Sequence, residues 1–220
     1  LNNFVPETPR HHSVGKAHPM EEFSSLLRRL LISHGFLEIM NFTLTSPLKY
    51  YTHMHTKQAD AIELRNPLSD EYAVCRSTTI PGLLETLSAN KHRRYPQKIF
   101  EIADCLQIDA KAETRVRNVR RLGVAISHAH ADLSEILSYT HSINTLLGCS
   151  WTLTNGKTPI FIPGRCGEIT LNGSPIGILG EIHPKILTSW ELEKPIALLD
   201  IDLDALFQEL AQKPQPTPRK

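Results

Sequence analysis

Residues 66–106 read NPLSDEYAVCRSTTIPGLLETLSANKHRRYPQKIFEIADCL. Asn66-Pro67 marks a turn, residues 72–76 read as a short strand ending in Cys75-Arg76, and Thr78 or Thr79 is placed to cap a helix that Pro81 opens. A hydroxyl cap and an early proline suit that end, where amide hydrogens lack partners inside the helix and proline has none to strand. A basic loop at 91–98 and a long strand from Ile99 follow, so the local order is strand, helix, basic loop, strand.

Upstream, residues 1–16 are rich in proline and polar side chains, without periodicity, and read as an extended lead-in. His18-Pro19 then opens a helix whose Phe23, Leu26, Leu27, Leu30 and Leu31 fall on one face, with Glu21 and Glu22 in the first turn and Gly35 past the end. That face must be buried against the core or a partner. Residues 36–45 switch to period two, with Phe36, Met40, Phe42 and Leu44 on one side and Leu37 and Ile39 on the other, the pattern expected of an inner strand. Residues 46–60 form a polar excursion, and 62–65 a short strand.

Downstream, residues 99–108 alternate, with Phe100, Ile102, Leu106 and Ile108 expected inward and Asp104 among them; 122–127 form another strand. Residues 132–147 read as a helix capped by Asp132, with Glu135 three positions on as in a capping box and Gly148 as the stop. Strands at 166–171 and 176–182 flank Asn172-Gly173, a dipeptide that accepts positive φ in tight hairpins. A helix near Pro184, a strand at 196–203 and a helix at 203–212 follow; residues 213–220, rich in proline, read as a disordered tail. Hairpin-joined strands without regular βαβ alternation predict an α+β fold, a mainly antiparallel sheet carrying helices on one face.

Composition narrows the classes. The chain has 220 residues, 40% hydrophobic and 21% charged, and no apolar run approaches the ~18 to 20 residues of a membrane span, so no membrane association is expected and a cytoplasmic location is. The net charge is +1 with the 11 histidines neutral, so any nucleic-acid footprint must be local. Cys75, Cys105, Cys149 and Cys166 lack the close pairing of a zinc site and read as buried free thiols. His53 and His55 have no carboxylate or cysteine beside them, and the Asp132 of His128-Ala129-His130-Ala131-Asp132 already serves as a helix cap, so no metal site is expected. The chain starts at Leu1 with no signal-like stretch and reads as an excised piece.

The chain resembles the beta subunit of phenylalanyl-tRNA synthetase of the archaeal and eukaryotic type. The resemblance rests on Asn66-Pro67-Leu68-Ser69, Arg76-Ser77-Thr78-Thr79-Ile80-Pro81-Gly82-Leu83-Leu84, Ala89-Asn90-Lys91, Ile99-Phe100-Glu101-Ile102, Phe161-Ile162-Pro163-Gly164-Arg165-Cys166-Gly167-Glu168-Ile169 and Gly180-Glu181-Ile182-His183-Pro184, in the family's order. It implies a class II aminoacyl-tRNA synthetase-like fold over 17–212, with N-terminal domains preceding the lead-in at 1–16. It also implies an alpha-subunit partner in an alpha2-beta2 assembly, phenylalanine tRNA as the RNA partner, and ATP and Mg2+ as cofactors of the whole enzyme with none in this domain.

The helix with Phe23, Leu26, Leu27, Leu30 and Leu31, followed by Gly-Phe and a strand, resembles motif 1, the dimerisation unit of class II synthetases, and is the expected subunit interface. By the same resemblance, Lys98-Ile99-Phe100-Glu101-Ile102 is the first motif 2 strand, which puts Glu101 where a catalytic subunit has arginine. Leu198, Leu199 and Ile201, with Asp200, Asp202 and Asp204, stand where motif 3 has a glycine-rich turn and arginine. Class II chemistry needs those arginines against the α-phosphate, so no catalytic residue is expected here and the module reads as non-catalytic. Its candidate contacts to tRNA or the alpha subunit are the basic loops of Lys91, Arg93, Arg94 and Lys98 and of Arg115, Arg117, Arg120 and Arg121. The competing readings are a metal hydrolase on the His-Ala-His-Ala-Asp run, and a stand-alone scaffold or RNA-binding module that borrows the fold.

Overall fold

The computed structural model describes residues 14–57 and 61–211. The tail expected at 213–220, the end of the last helix at 212, and residues 1–13 of the expected lead-in lie outside the described residues. Helix α1 (Pro19–Ser33) starts where His18 precedes a proline that has no N–H to strand, and His18 Nδ1 accepts from the Met20 amide at 3.2 Å. Gly35, at φ 80°, takes the left-handed conformation that lets the chain leave the helix. The short strands β1 (Leu37–Glu38), β2 (Leu44–Thr45), β3 (Ile62–Glu63) and β4 (Val74–Cys75) follow, with one π-helical turn at Leu48–Thr52 and a 3-10 turn at Asp70–Tyr72 between them.

Helix α2 (Ile80–Ala89) leads into β5 (Gln97–Ile108), which pairs antiparallel with β6 (Val116–Ser127) along its whole length. Helix α3 (Leu133–Leu147), β7 (Thr152–Asn155), β8 (Phe161–Leu171), β9 (Ser174–Ile182), α4 (Pro184–Ser189), β10 (Ile196–Asp202) and α5 (Leu203–Ala211) complete the chain. The main sheet has seven strands in the order β1-β5-β6-β10-β9-β8-β7, antiparallel except for the β1–β5 pair; β2, β4 and β3 form a small second sheet. Local chemistry explains two of the elements directly. Asp132 accepts from the Glu135 amide at 2.8 Å and Gly148 ends α3 at φ 60°, while Asn172 and Gly173 turn the β8–β9 hairpin at φ 52° and 86°.

Alternation along the strands gives the main sheet two apolar faces, and helices cover both. Phe100, Ile102, Leu122, Val124, Leu199 and Ile201 pack with α1, α3 and α5, whereas Ile99, Ala125, Phe161, Ile196 and Leu198 pack with α2 and α4. The expectation of helices on one face is therefore corrected. The fold remains α+β, a mainly antiparallel sheet flanked by helices.

Three further expectations change. The apolar stripe of α1 belongs to the chain's own core: Leu27 and Leu31 are fully buried, and Phe23 and Leu30 pack partly against the same cluster. Only Leu26 of that stripe is half-buried outside it. The inner strand read across 36–45 breaks into β1, at the sheet's edge, and β2, in the second sheet. Between them the connection swings outward, leaving Met40 93% and Phe42 76% exposed. Ile108, expected inward, is exposed at the far end of β5. All four cysteines are buried and free, as read from their spacing.

Candidate functional site

The α2-covered face of the sheet carries a row of polar positions. Register places Glu101 on β5 opposite Gly123 on β6, and Gly123 opposite Asp200 on β10, so the two carboxylates lie two strands apart, about 10 Å. Glu101 is fully buried. Its Oε1 accepts from the Asn41 amide at 2.9 Å and from Arg76 Nη2 at 2.9 Å; its Oε2 accepts from Asn41 Nδ2 at 3.0 Å and from Arg76 Nη1 at 3.1 Å. Arg76 comes from just beyond β4, where its amide bonds Thr43 O, and its guanidinium reaches β5 as a two-pronged partner. Asn41 comes from the exposed 36–45 connection, so Glu101 ties that connection to the sheet.

Asp200 repeats the arrangement two strands away. It accepts from Thr78 Oγ1, from Thr79 Oγ1 at 3.3 Å and from Arg121 Nε at 3.0 Å. Thr79 occupies the N-cap position of α2 but makes no side-chain cap bond, and Thr78 Oγ1 accepts from the Ile80 amide only at 3.4 Å. The hydroxyls expected to cap the helix are thus turned to Asp200, whose charge sits at the helix's positive end. Gly123 makes this approach possible, since a Cβ there would lie 2.1 Å from Thr79 Oγ1. Burial disfavours the charged Arg121 guanidinium, but the facing Asp200 more than restores it and its pKa lies above the ordinary value. On the same face of β5, burial pushes the Cys105 thiol up to about 12, with Arg76 pulling the other way.

The remaining acids of this region serve the fold. Asp202 Oδ1 accepts from the Ala205 amide at 2.9 Å, capping α5, and Asp204 accepts from the Arg120 amide at 2.9 Å. Asp104 pairs with Arg120 at the surface. His128 Nε2 bonds Glu135 at 2.6 Å and its Nδ1 accepts from the His130 amide, His53 packs edge-on to Trp190, and His55 bonds Ser189.

The eight candidate basic contacts divide. Lys91 pairs with Glu191 at 2.8 Å, Lys98 donates to Tyr139 Oη at 2.6 Å, and Arg117 donates to Gln107 at 2.9 Å. Arg120 is held by Asp104 and Glu21, and Arg121 by Asp200. Arg93, Arg94 and Arg115 are exposed and have no side-chain partner among the described residues. The two loops do not come together. Arg93 and Arg94 precede one end of the β5–β6 hairpin and Arg115 turns the other, eleven residues along, about 36 Å away.

Sequence reasoning did not foresee Asn41 and Thr79 as parts of this site. Their partners lie 60 and 121 positions away, and no local pattern announces such a bond. A polar Asn between apolar neighbours, and an Asp between Leu199 and Ile201, were the available signals.

The sequence profile described as "Phenylalanyl tRNA synthetase beta chain CLM domain" matches residues 5–203. The chain belongs to this family. It is 35% identical over 207 residues to the phenylalanine–tRNA ligase beta subunit of Thermococcus sibiricus, covering 94% of this chain and 37% of that protein. The corresponding figures for the beta subunit of Methanocaldococcus jannaschii are 35% over 203 residues, 92% and 37%. The chain therefore spans under two fifths of the length of these curated relatives. Among solved structures, it is similar to pyrrolysyl-tRNA synthetase from Desulfitobacterium hafniense, with a TM-score of 0.72 at 14% identity, covering 86% of this chain and 68% of that one. That likeness shows the fold, which is that of class II aminoacyl-tRNA synthetases. No helix among the described residues is long and apolar enough to cross a membrane.

Proposed function

We propose that this CLM-family chain is a non-catalytic module of a phenylalanine–tRNA ligase beta subunit. In this reading it assembles with a catalytic alpha subunit, in an alpha2-beta2 enzyme of the cytoplasm that attaches phenylalanine to its tRNA using ATP and Mg2+. The observation that carries the reading is the state of Glu101. At the position where the family resemblance expects a catalytic arginine, a buried carboxylate accepts bonds from Asn41 and Arg76. The nearest guanidinium is committed to that carboxylate, and Asp200 commits Arg121 in part. The residues present do not fit a triphosphate, whose developing charge would meet carboxylates where it needs free cations.

The exposed connection between β1 and β2 supports the assembly role. Met40, Phe42 and Tyr72 are exposed and line one surface depression, Phe42 and Tyr72 meeting edge-on at 5.7 Å. Patches of this kind mark protein contacts, and the partner implied by relatives named as beta subunits is an alpha subunit. Arg93, Arg94 and Arg115 remain as the cations available to RNA phosphates. The chain, purified alone, is expected to show no phenylalanine-dependent exchange of pyrophosphate into ATP; exchange above a no-enzyme blank would overturn the reading.

A further inference from the structure

While Glu101 seals one end of the polar row, the other end is open. A cavity of about 310 Å3 lies over Arg121 and Asp200, with Ile178 on its floor and Met54 and Ile160 on its walls, at the lower end of the ~300–1,000 Å3 range of small-molecule sites. The Asp200 carboxylate is largely satisfied by Thr78, Thr79 and Arg121 Nε. The outer nitrogens of Arg121 are not. Nη1 stands 4.0 Å from Asp202 Oδ2, beyond hydrogen-bond reach, and neither Nη1 nor Nη2 bonds an acceptor among the described residues. Neither is among the fully buried polar atoms left without a partner, and Arg121 is part of the cavity lining.

Charge around this space balances, with Arg121 and the exposed Lys57 at the rim against Asp200 and Asp202. Recognition must therefore come from directed donors, not from net field. The outer face of a guanidinium held fast at Nε matches the two oxygens of a carboxylate, and Met54, Ile160 and Ile178 give the rest of the lining an apolar stretch among the hydroxyls of Thr56, Ser77 and Thr158. We infer that the cavity is a binding site for a small monocarboxylic acid with an apolar body, the carboxylate on the outer N–H groups of Arg121 and the body against Met54, Ile160 and Ile178. The site binds and has no catalytic step; its test in the assembled enzyme rests on the proposed function.

The test uses the assembled enzyme with its full-length beta subunit, its catalytic sites filled by an unreactive phenylalanyl-adenylate analogue, and radiolabelled benzoate in equilibrium dialysis. One benzoate binds per chain. Ile178→Trp, which fills the cavity from the strand position opposite Asp200, weakens binding tenfold or more. Arg121→Lys, which keeps a cation beside Asp200 but removes the fork, does the same. Excess inorganic phosphate does not displace the label. Crystals soaked in 4-bromobenzoate place the bromine beside Ile178. If Ile178→Trp fails to assemble, Thr158→Phe closes the cavity from its loop and gives the same loss. Absence of saturable benzoate, saturable binding indifferent to both filling variants, displacement by phosphate, or bromine only elsewhere would each overturn the inference, while leaving the pyrophosphate-exchange result untouched.

Discussion

Removing the Glu101 carboxylate leaves the Arg76 guanidinium buried without its counter-charge and Asn41 without both its acceptors. Stripping one partner from a buried ion pair costs about 3–5 kcal/mol, so Glu101→Ala should lower the urea midpoint by an amount in that range. Replacing both partners with apolar residues, Arg76→Met with Glu101→Leu, should recover much of the loss, because no charge is then stranded. Urea titrations of the two variants decide this; equal destabilisation would mean that the pair itself holds the fold. That a carboxylate stands at position 101 was legible in the sequence. Its partners were not, since Arg76 lies 25 positions away and Asn41 60, and strand alternation alone made the inward side of β5 a plain apolar face.

At the scale of elements, sequence pattern succeeded where structure is local and failed where an apolar face has two possible uses. The α3 cap and stop and the Asn172-Gly173 hairpin were readable because the deciding bonds lie within three or four residues. The α1 stripe was consistent with core or with partner and the 36–45 alternation with an inner strand, but the helix face is buried internally and the strand-like segment opens outward. The substitutions should part accordingly. Leu27→Asp puts a charge in the core and should unfold the chain or cost more than about 3 kcal/mol. Phe42→Asp, at an exposed site, should stay within about 0.5 kcal/mol of the parent in urea yet fail to retain the alpha subunit through co-purification and gel filtration. Retention by Phe42→Asp would remove the patch from the interface. On β6, Gly123→Ala would force Thr79 off Asp200, and the overpacking should cost about 1–3 kcal/mol by the same titration.

For the whole molecule, the hairpin of β5 and β6 sets the distance between the available cations. Arg93 and Arg94 at one end and Arg115 at the other cannot grip one phosphate cluster. If both ends touch tRNA they touch separate parts of it, and their effects should add. Neutralising Arg93 and Arg94 in the assembled enzyme should weaken tRNA binding and reduce the slope of log affinity against log salt by about 1 for each phosphate no longer neutralised. Arg115→Ala should then reduce it further, as filter binding across a salt series would reveal. An unchanged slope removes the loops from RNA binding. The overall architecture was legible because hairpin spacing and missing βαβ alternation specify an antiparallel sheet, whereas coverage on both faces was not, since a helix pattern does not say which side of a sheet it takes.

The double attachment of Glu101 bears on how such a module could change over generations. An arginine placed at that position would face Arg76, two like charges in a closed space, and would also release Asn41, the anchor of the segment that presents Met40 and Phe42. Introducing a cation there would loosen that segment in the same step, so the position acts as a ratchet: no single change installs arginine and keeps the attachment.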